Sequence, residues 1–134
     1  MRLSLSHSGL LGLLLVSANR EVGVDIERVR DVGDIEDLAE ACFSPVEQAA
    51  LAAVPVAQRR WAFFAGWTRK EAFLNALGEG LSRPLDSLDV NLAPGEPARL
   101  LRVEGMIGAP EAYAVSSLER RPATSAHWWS TDTW

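Results

Sequence analysis

The sequence is poor in cysteine and has no block of basic residues. Cys42 is the single cysteine, so no internal disulfide can form and a reducing, cytoplasmic setting is expected. The formal net charge is −5, without a basic stripe, which argues against a nucleic-acid partner. Apolar runs are too short to cross a bilayer, so no membrane-spanning helix is expected. The segment over residues 9–16 has the outline of a secretory leader, with Arg2 before it and small residues after it. His7 and the serines at 4, 6 and 8 interrupt that outline, and a cleaved leader is not expected. Internal repeats and low-complexity linkers are absent too. What remains is 134 residues with 48% apolar content, enough for one domain over residues 1–134 with its own core. Five tryptophans are many for this length, and Trp128, Trp129 and Trp134 crowd the end.

Residues 9–17, rich in Leu and Val, read as a buried strand. A polar turn at 19–21 leads into VGVDIE at 22–27, whose alternation marks a second strand, hairpin-paired with the first. A short helix is expected around 34–42. In FSPVEQAALAAV (43–54), Ser44 can cap a helix, Pro45 suits its first position and Glu47 completes a capping box; Pro55 ends it. The next helix should run over 57–77 and stop at Gly78. Trp61, Phe64, Ala65, Thr68 and Ala72 recur on it at helical spacing and should face the core. Beyond residue 81, SLDVNL, ARLLRVEG, EAYAVSSL and TSAHWWST read as three or four antiparallel strands. The order is two N-terminal strands, two to three helices, then a three- to four-stranded antiparallel sheet region: an α+β fold.

Asp25 and Glu27 lie at i and i+2 of a strand, so their carboxylates leave one face. Such a pair is either solvated at a sheet edge or held by a cation. Val22, Val24 and Ile26 occupy the opposite face, and Gly23 leaves room for close approach by backbone or ligand. An oxygen-only donor set favours Mg²⁺ over Zn²⁺. On the long helix, Trp67, Glu71 and Asn75 share a stripe, flanked by Lys70. That stripe is either a solvated face or a functional one. In the second case Glu71 supplies a third oxygen to the cation, and Lys70 neutralises a phosphate bound to it. His127, beside Trp128 and Trp129, reads as a packing residue.

Four blocks in order, LSHSG (5–9), VGVDIE (22–27), FSPVEQAAL (43–51) and WTRKEAFLNALGEGL (67–81), resemble the signature of Sfp-type 4′-phosphopantetheinyl transferases. The likeness is to the second half of those proteins. It implies transfer of the phosphopantetheine arm of coenzyme A to a serine of an acyl or peptidyl carrier protein. It makes Asp25, Glu27 and Glu71 the Mg²⁺ ligands, with Glu71, or a water it orients, as base for the serine. Ser6 and His7 resemble residues that touch the coenzyme's phosphates, with Lys70 beside them. Asn75 stands where the pattern WxxKEAFxK places a lysine against the pyrophosphate, keeping a hydrogen bond but not the charge. The missing half implies self-association, as a dimer or trimer, in the manner of the half-length holo-acyl-carrier-protein synthases. The aromatic tail is then either part of that contact or a cap on the core. Arg28, Arg30, Arg59, Arg60 and Arg83 offer a local basic dock for an acidic carrier protein. The alternative is a degenerate half-length member that binds coenzyme A or a carrier protein without efficient transfer.

Overall fold

RLSLSHS alternates leucine with serine, LGLLLVS is rich in leucine, and both, divided by Gly9 and Leu10, are strands. The structure is a computed structural model describing residues 1–78, 83–105, 113–120 and 124–130; for 117–120 and 124–130 it describes the backbone alone. Strand β1 (Arg2–Ser8) pairs antiparallel with β2 (Leu11–Ser17), Ser8 standing opposite Leu11. The two-residue turn between them is entered by Gly9 at φ +58°, the left-handed backbone that such tight hairpins require.

This corrects the expected hairpin in two respects. The strand expected over 9–17 forms as β2 but is preceded by a further strand, β1, and it is β1 rather than β3 (Val22–Arg28) that pairs with β2. Nor is β2 buried. Its side chains alternate half-buried and exposed, with Leu14 at 58% and Val16 at 52% exposure. Strand β3 pairs instead with β7 (Thr124–Ser130), which pairs in turn with β6 (Ala114–Arg120). A short pair, β4 (Leu88–Val90) with β5 (Leu100–Val103), completes the sheets. Of the three or four strands expected beyond residue 81, four form, divided between two sheets.

The helices follow their local signals. Helix α1 (Ile35–Cys42) starts at Asp34, whose carboxylate accepts from the Asp37 N–H. Helix α2 (Pro45–Ala53) has the capping box in full: Ser44 Oγ accepts from the Glu47 N–H, and Glu47 accepts from the Ser44 N–H. A single 3₁₀ turn at Val56–Gln58 precedes α3 (Arg59–Leu77), which ends at Gly78 with φ +70°.

Helix α3 is the centre of the molecule. It packs on β3 and β7 and on α1, α2 and β4. Phe64, Ala65, Thr68 and Ala72 are buried as expected, and Trp61 packs half-buried against the same core. Burial goes further round the helix than one stripe, taking in Phe63, Arg69, Lys70, Phe73 and Leu74. One apolar cluster joins α3 to Phe43, Leu51 and Val54; a second joins it to Leu88, Val90 and Leu100.

Candidate active site

Gly23 decides how α3 meets β3. A Cβ there would fall 2.0 Å from the Ala72 carbonyl oxygen and 2.1 Å from the Ala76 nitrogen, so only glycine admits so close a helix. The close approach anticipated at Gly23 is thus made by backbone. Alternation puts Asp25 and Glu27 on the same face of β3 as Gly23, turned toward the helix that carries Glu71.

The three carboxylates act on one another. Burial pushes the Asp25 carboxyl up to about 7, the hydrogen bond from Ser6 opposes the rise, and the charges of Glu27 and Glu71 add to it. Burial also raises Glu71, followed by the charge of Glu27. Ser6 Oγ donates to Asp25 Oδ1 at 3.0 Å. Asp25 Oδ2 and Glu71 Oε1 are buried with no hydrogen-bond partner. Among the described residues, no three His, Cys, Asp or Glu side chains stand close enough together to hold a metal ion as they are placed here. Two orphaned acceptors in a cluster of like charge nonetheless suit a hard cation, which would satisfy both and remove the repulsion. All three side chains offer oxygen donors, the type that Mg²⁺ takes.

Other predicted residues are placed differently. Lys70, the only lysine in the sequence, is fully buried on the core side of α3, where its ammonium donates to Glu47 Oε1 and, at 2.9 Å, to the Leu88 carbonyl. The contacts of Lys70 in this structure are thus structural ones within the core. The residue beside Glu71 on the chain points about 100° round the helix from it, into a pocket already lined by Glu47. Glu47 was read only as a capping residue. Its second oxygen also accepts from the Val90 N–H at 2.8 Å, so one carboxylate joins α2, α3 and β4. No local spacing announces that partnership, because Lys70 lies 23 residues away.

Ser6 and His7 do not converge. As neighbours on a strand they leave opposite faces: Ser6 turns to Asp25, whereas His7 is exposed on the side of Leu3 and Leu5. Asn75 donates from Nδ2 to the Val24 carbonyl at 2.9 Å, tying α3 to the strand at the residue before Asp25. Arg30, which was assigned only to a basic dock, bonds Glu27 Oε2 at 3.1 Å and lies over the Phe64 ring at 5.2 Å. Asp25 stands opposite His127 in the β3–β7 register, while the side chain of His127 lies outside the described residues.

Residues 21–126 match the model of the 4′-phosphopantetheinyl transferase superfamily. The 4′-phosphopantetheinyl transferase HetI of Nostoc sp. is 41% identical over 97 residues, covering 72% of this chain and 40% of that protein. Sfp of Bacillus subtilis is 33% identical over 89 residues, covering 66% and 38% respectively. A holo-(acyl-carrier-protein) synthase from Bacillus anthracis, solved in complex with CoA (3′,5′-ADP), superposes with a TM-score of 0.64. That match covers 85% of this chain and 96% of the synthase at 16% identity, a common fold. The match thus spans less than half the length of HetI and Sfp, yet nearly all of the synthase. The chain belongs to the 4′-phosphopantetheinyl transferase superfamily.

Proposed function

We propose that this chain transfers 4′-phosphopantetheine from coenzyme A to a serine of an acyl or peptidyl carrier protein, with Mg²⁺ held by Asp25, Glu27 and Glu71. The observation that carries the reading is the pair of buried, unpartnered oxygens, Asp25 Oδ2 and Glu71 Oε1, at the crossing of β3 and α3. Mg²⁺ bound there would offset charge building on the pyrophosphate oxygens. The chain's own groups do the rest. The serine hydroxyl forms a bond to the phosphorus of the pantetheine arm as the bond to adenosine 3′,5′-bisphosphate breaks. Glu71, its carboxyl raised by burial, takes the hydroxyl proton; a carboxylate with raised pKa is the better base near neutral pH. Ser6 and Asn75 hold the strand that presents Asp25.

The reading includes self-association in a cytoplasmic setting. The face of the β1–β2 hairpin away from β3 exposes Leu3, Leu5, Leu14 and Val16 at 52–65%, as cross-strand pairs Leu3–Val16 and Leu5–Leu14. Four adjacent exposed apolar side chains support an interface. His7 on the same face would then meet ligand at the contact between copies. No described helix is long and apolar enough to cross a membrane.

The test is incubation with coenzyme A, Mg²⁺ and an apo carrier protein, with mass spectrometry for the added arm and light scattering for the assembly state. Modification of the carrier by an oligomer is the expected result. One observation favours a second reading, a binding or accessory protein: neither buried Lys70 nor uncharged Asn75 aims a cation at the carboxylates. Coenzyme A binding without any transfer at high enzyme concentration would select it.

A further inference from the structure

Strand β1 carries serines at alternate positions, and each accepts a hydrogen bond from the backbone of β3. Ser4 accepts from Val24 at 3.1 Å, Ser6 from Ile26 at 3.2 Å and Ser8 from Arg28 at 3.0 Å. Hydroxyls here take the place of a neighbouring strand along that edge of β3. The three contacts are alike in chemistry and length. Only Ser6 among them donates in turn to a carboxylate, Asp25 Oδ1 at 3.0 Å.

A hydroxyl has one proton and two lone pairs. With the Ile26 N–H on a lone pair, the Ser6 proton is directed at Asp25, and the carboxylate is held by one named oxygen. The other oxygen, Oδ2, remains buried and unpartnered. Asn75 donates to the Val24 carbonyl, so the peptide units flanking Asp25 are gripped by side chains from β1 and α3. We infer that Ser6 is a positioning residue: it turns the Asp25 carboxylate so that Oδ2 faces a divalent cation. This rests on Asp25 being a metal ligand, as proposed above. It also accounts for a serine beside His7 whose hydroxyl turns to the acid face rather than to the face of His7.

The series Ser4, Ser6, Ser8 supplies its own control. Ser4→Ala removes a backbone contact equivalent to that of Ser6 but touches no carboxylate, whereas Ser6→Thr keeps the hydroxyl. Mn²⁺ binding is read from the free-ion EPR signal for wild type, Ser6→Ala, Ser6→Thr and Ser4→Ala, with and without coenzyme A. Melting temperatures are taken in parallel without metal. Removing a hydrogen-bond partner of a metal ligand typically weakens the metal about 10-fold or more. Ser6→Ala should show that loss, Ser6→Thr should retain wild-type affinity, and Ser4→Ala should bind as wild type although its melting temperature also falls. Unchanged affinity in Ser6→Ala, or an equal loss in Ser4→Ala, overturns the positioning role and leaves the metal reading standing. A wild type that binds no Mn²⁺ in either condition overturns the metal reading and this inference with it.

Discussion

Lys70 and Glu71 are neighbours on one helix and live in opposite electrostatic worlds. Lys70 enters a closed network in which its ammonium meets Glu47 and the Leu88 carbonyl, while Glu47 also binds the Ser44 and Val90 N–H groups. Glu71 enters a cluster of its own charge sign and leaves an oxygen without a donor. One set of buried charges is satisfied, and the other keeps two buried acceptors, Asp25 Oδ2 and Glu71 Oε1, without a donor. A satisfied network ties α2, α3 and β4 together. An unsatisfied one costs stability, which is a signature of function rather than of architecture.

The contrast can be broken from either side. Glu71→Gln should remove the largest amount of activity: loss of a general base alone lowers transfer by about 10²–10⁴-fold. Its melting temperature should hold or rise, since a repelling charge goes. A variant that transfers at the wild-type rate would dismiss Glu71 from the chemistry. Glu47→Ala should do the reverse. It strands a buried ammonium, a loss of about 3–5 kcal/mol, read as a lower urea midpoint with unchanged slope. If its midpoint equals that of wild type, the Lys70 network contributes nothing to the fold.

Proton linkage sharpens the comparison. Asp25 is pushed up to about 7 from an ordinary 3.8. Between those values the folded chain therefore holds a proton that the unfolded chain has lost. Without metal, this group's contribution to stability must fall as pH rises from about 4 to about 7. Melting curves in chelator should show that decline in wild type, and Asp25→Asn should flatten it. Mg²⁺ added at pH 8 should raise the melting temperature of wild type and not of Asp25→Asn. A decline equally steep in both proteins would assign it to other groups.

Smaller effects remain. Asn75→Lys restores a cation one turn beyond Glu71 and should raise kcat. An equal or lower kcat would place the weight of that position on the Val24 carbonyl it now holds. Arg30→Ala removes a half-exposed partner of Glu27, and such pairs contribute about 0.2–1 kcal/mol. Its melting temperature should hardly move; a large drop would mean that its packing over Phe64 matters more than the ion pair.

Much of this was legible in the chain and some was not. The α2 capping box, the Pro45 start, the Gly78 stop and the shared face of Asp25 and Glu27 were read directly, because each depends on residues at most four apart. The alternation of Leu3 and Leu5 with Ser4, Ser6 and Ser8 is equally local, but the leader-like outline of the same segment masks it as a strand signal. The fate of Lys70 had no local signal. A lysine with apolar neighbours can turn to water or to a carboxylate 23 residues away, and only the assembled core supplies that carboxylate.

The sequence by itself determined which segments would be helix or strand, and which acids would share a face, because caps, turns and periodicity act between near neighbours. The tertiary structure alone decided that β3 pairs with β7, about 100 residues along the chain. It alone set Lys70 inward and brought Glu71 to Asp25 across the gap at Gly23. These outcomes depend on burial, and burial exists only once distant segments have packed: desolvation then turns ordinary carboxylates into groups whose charge must be matched.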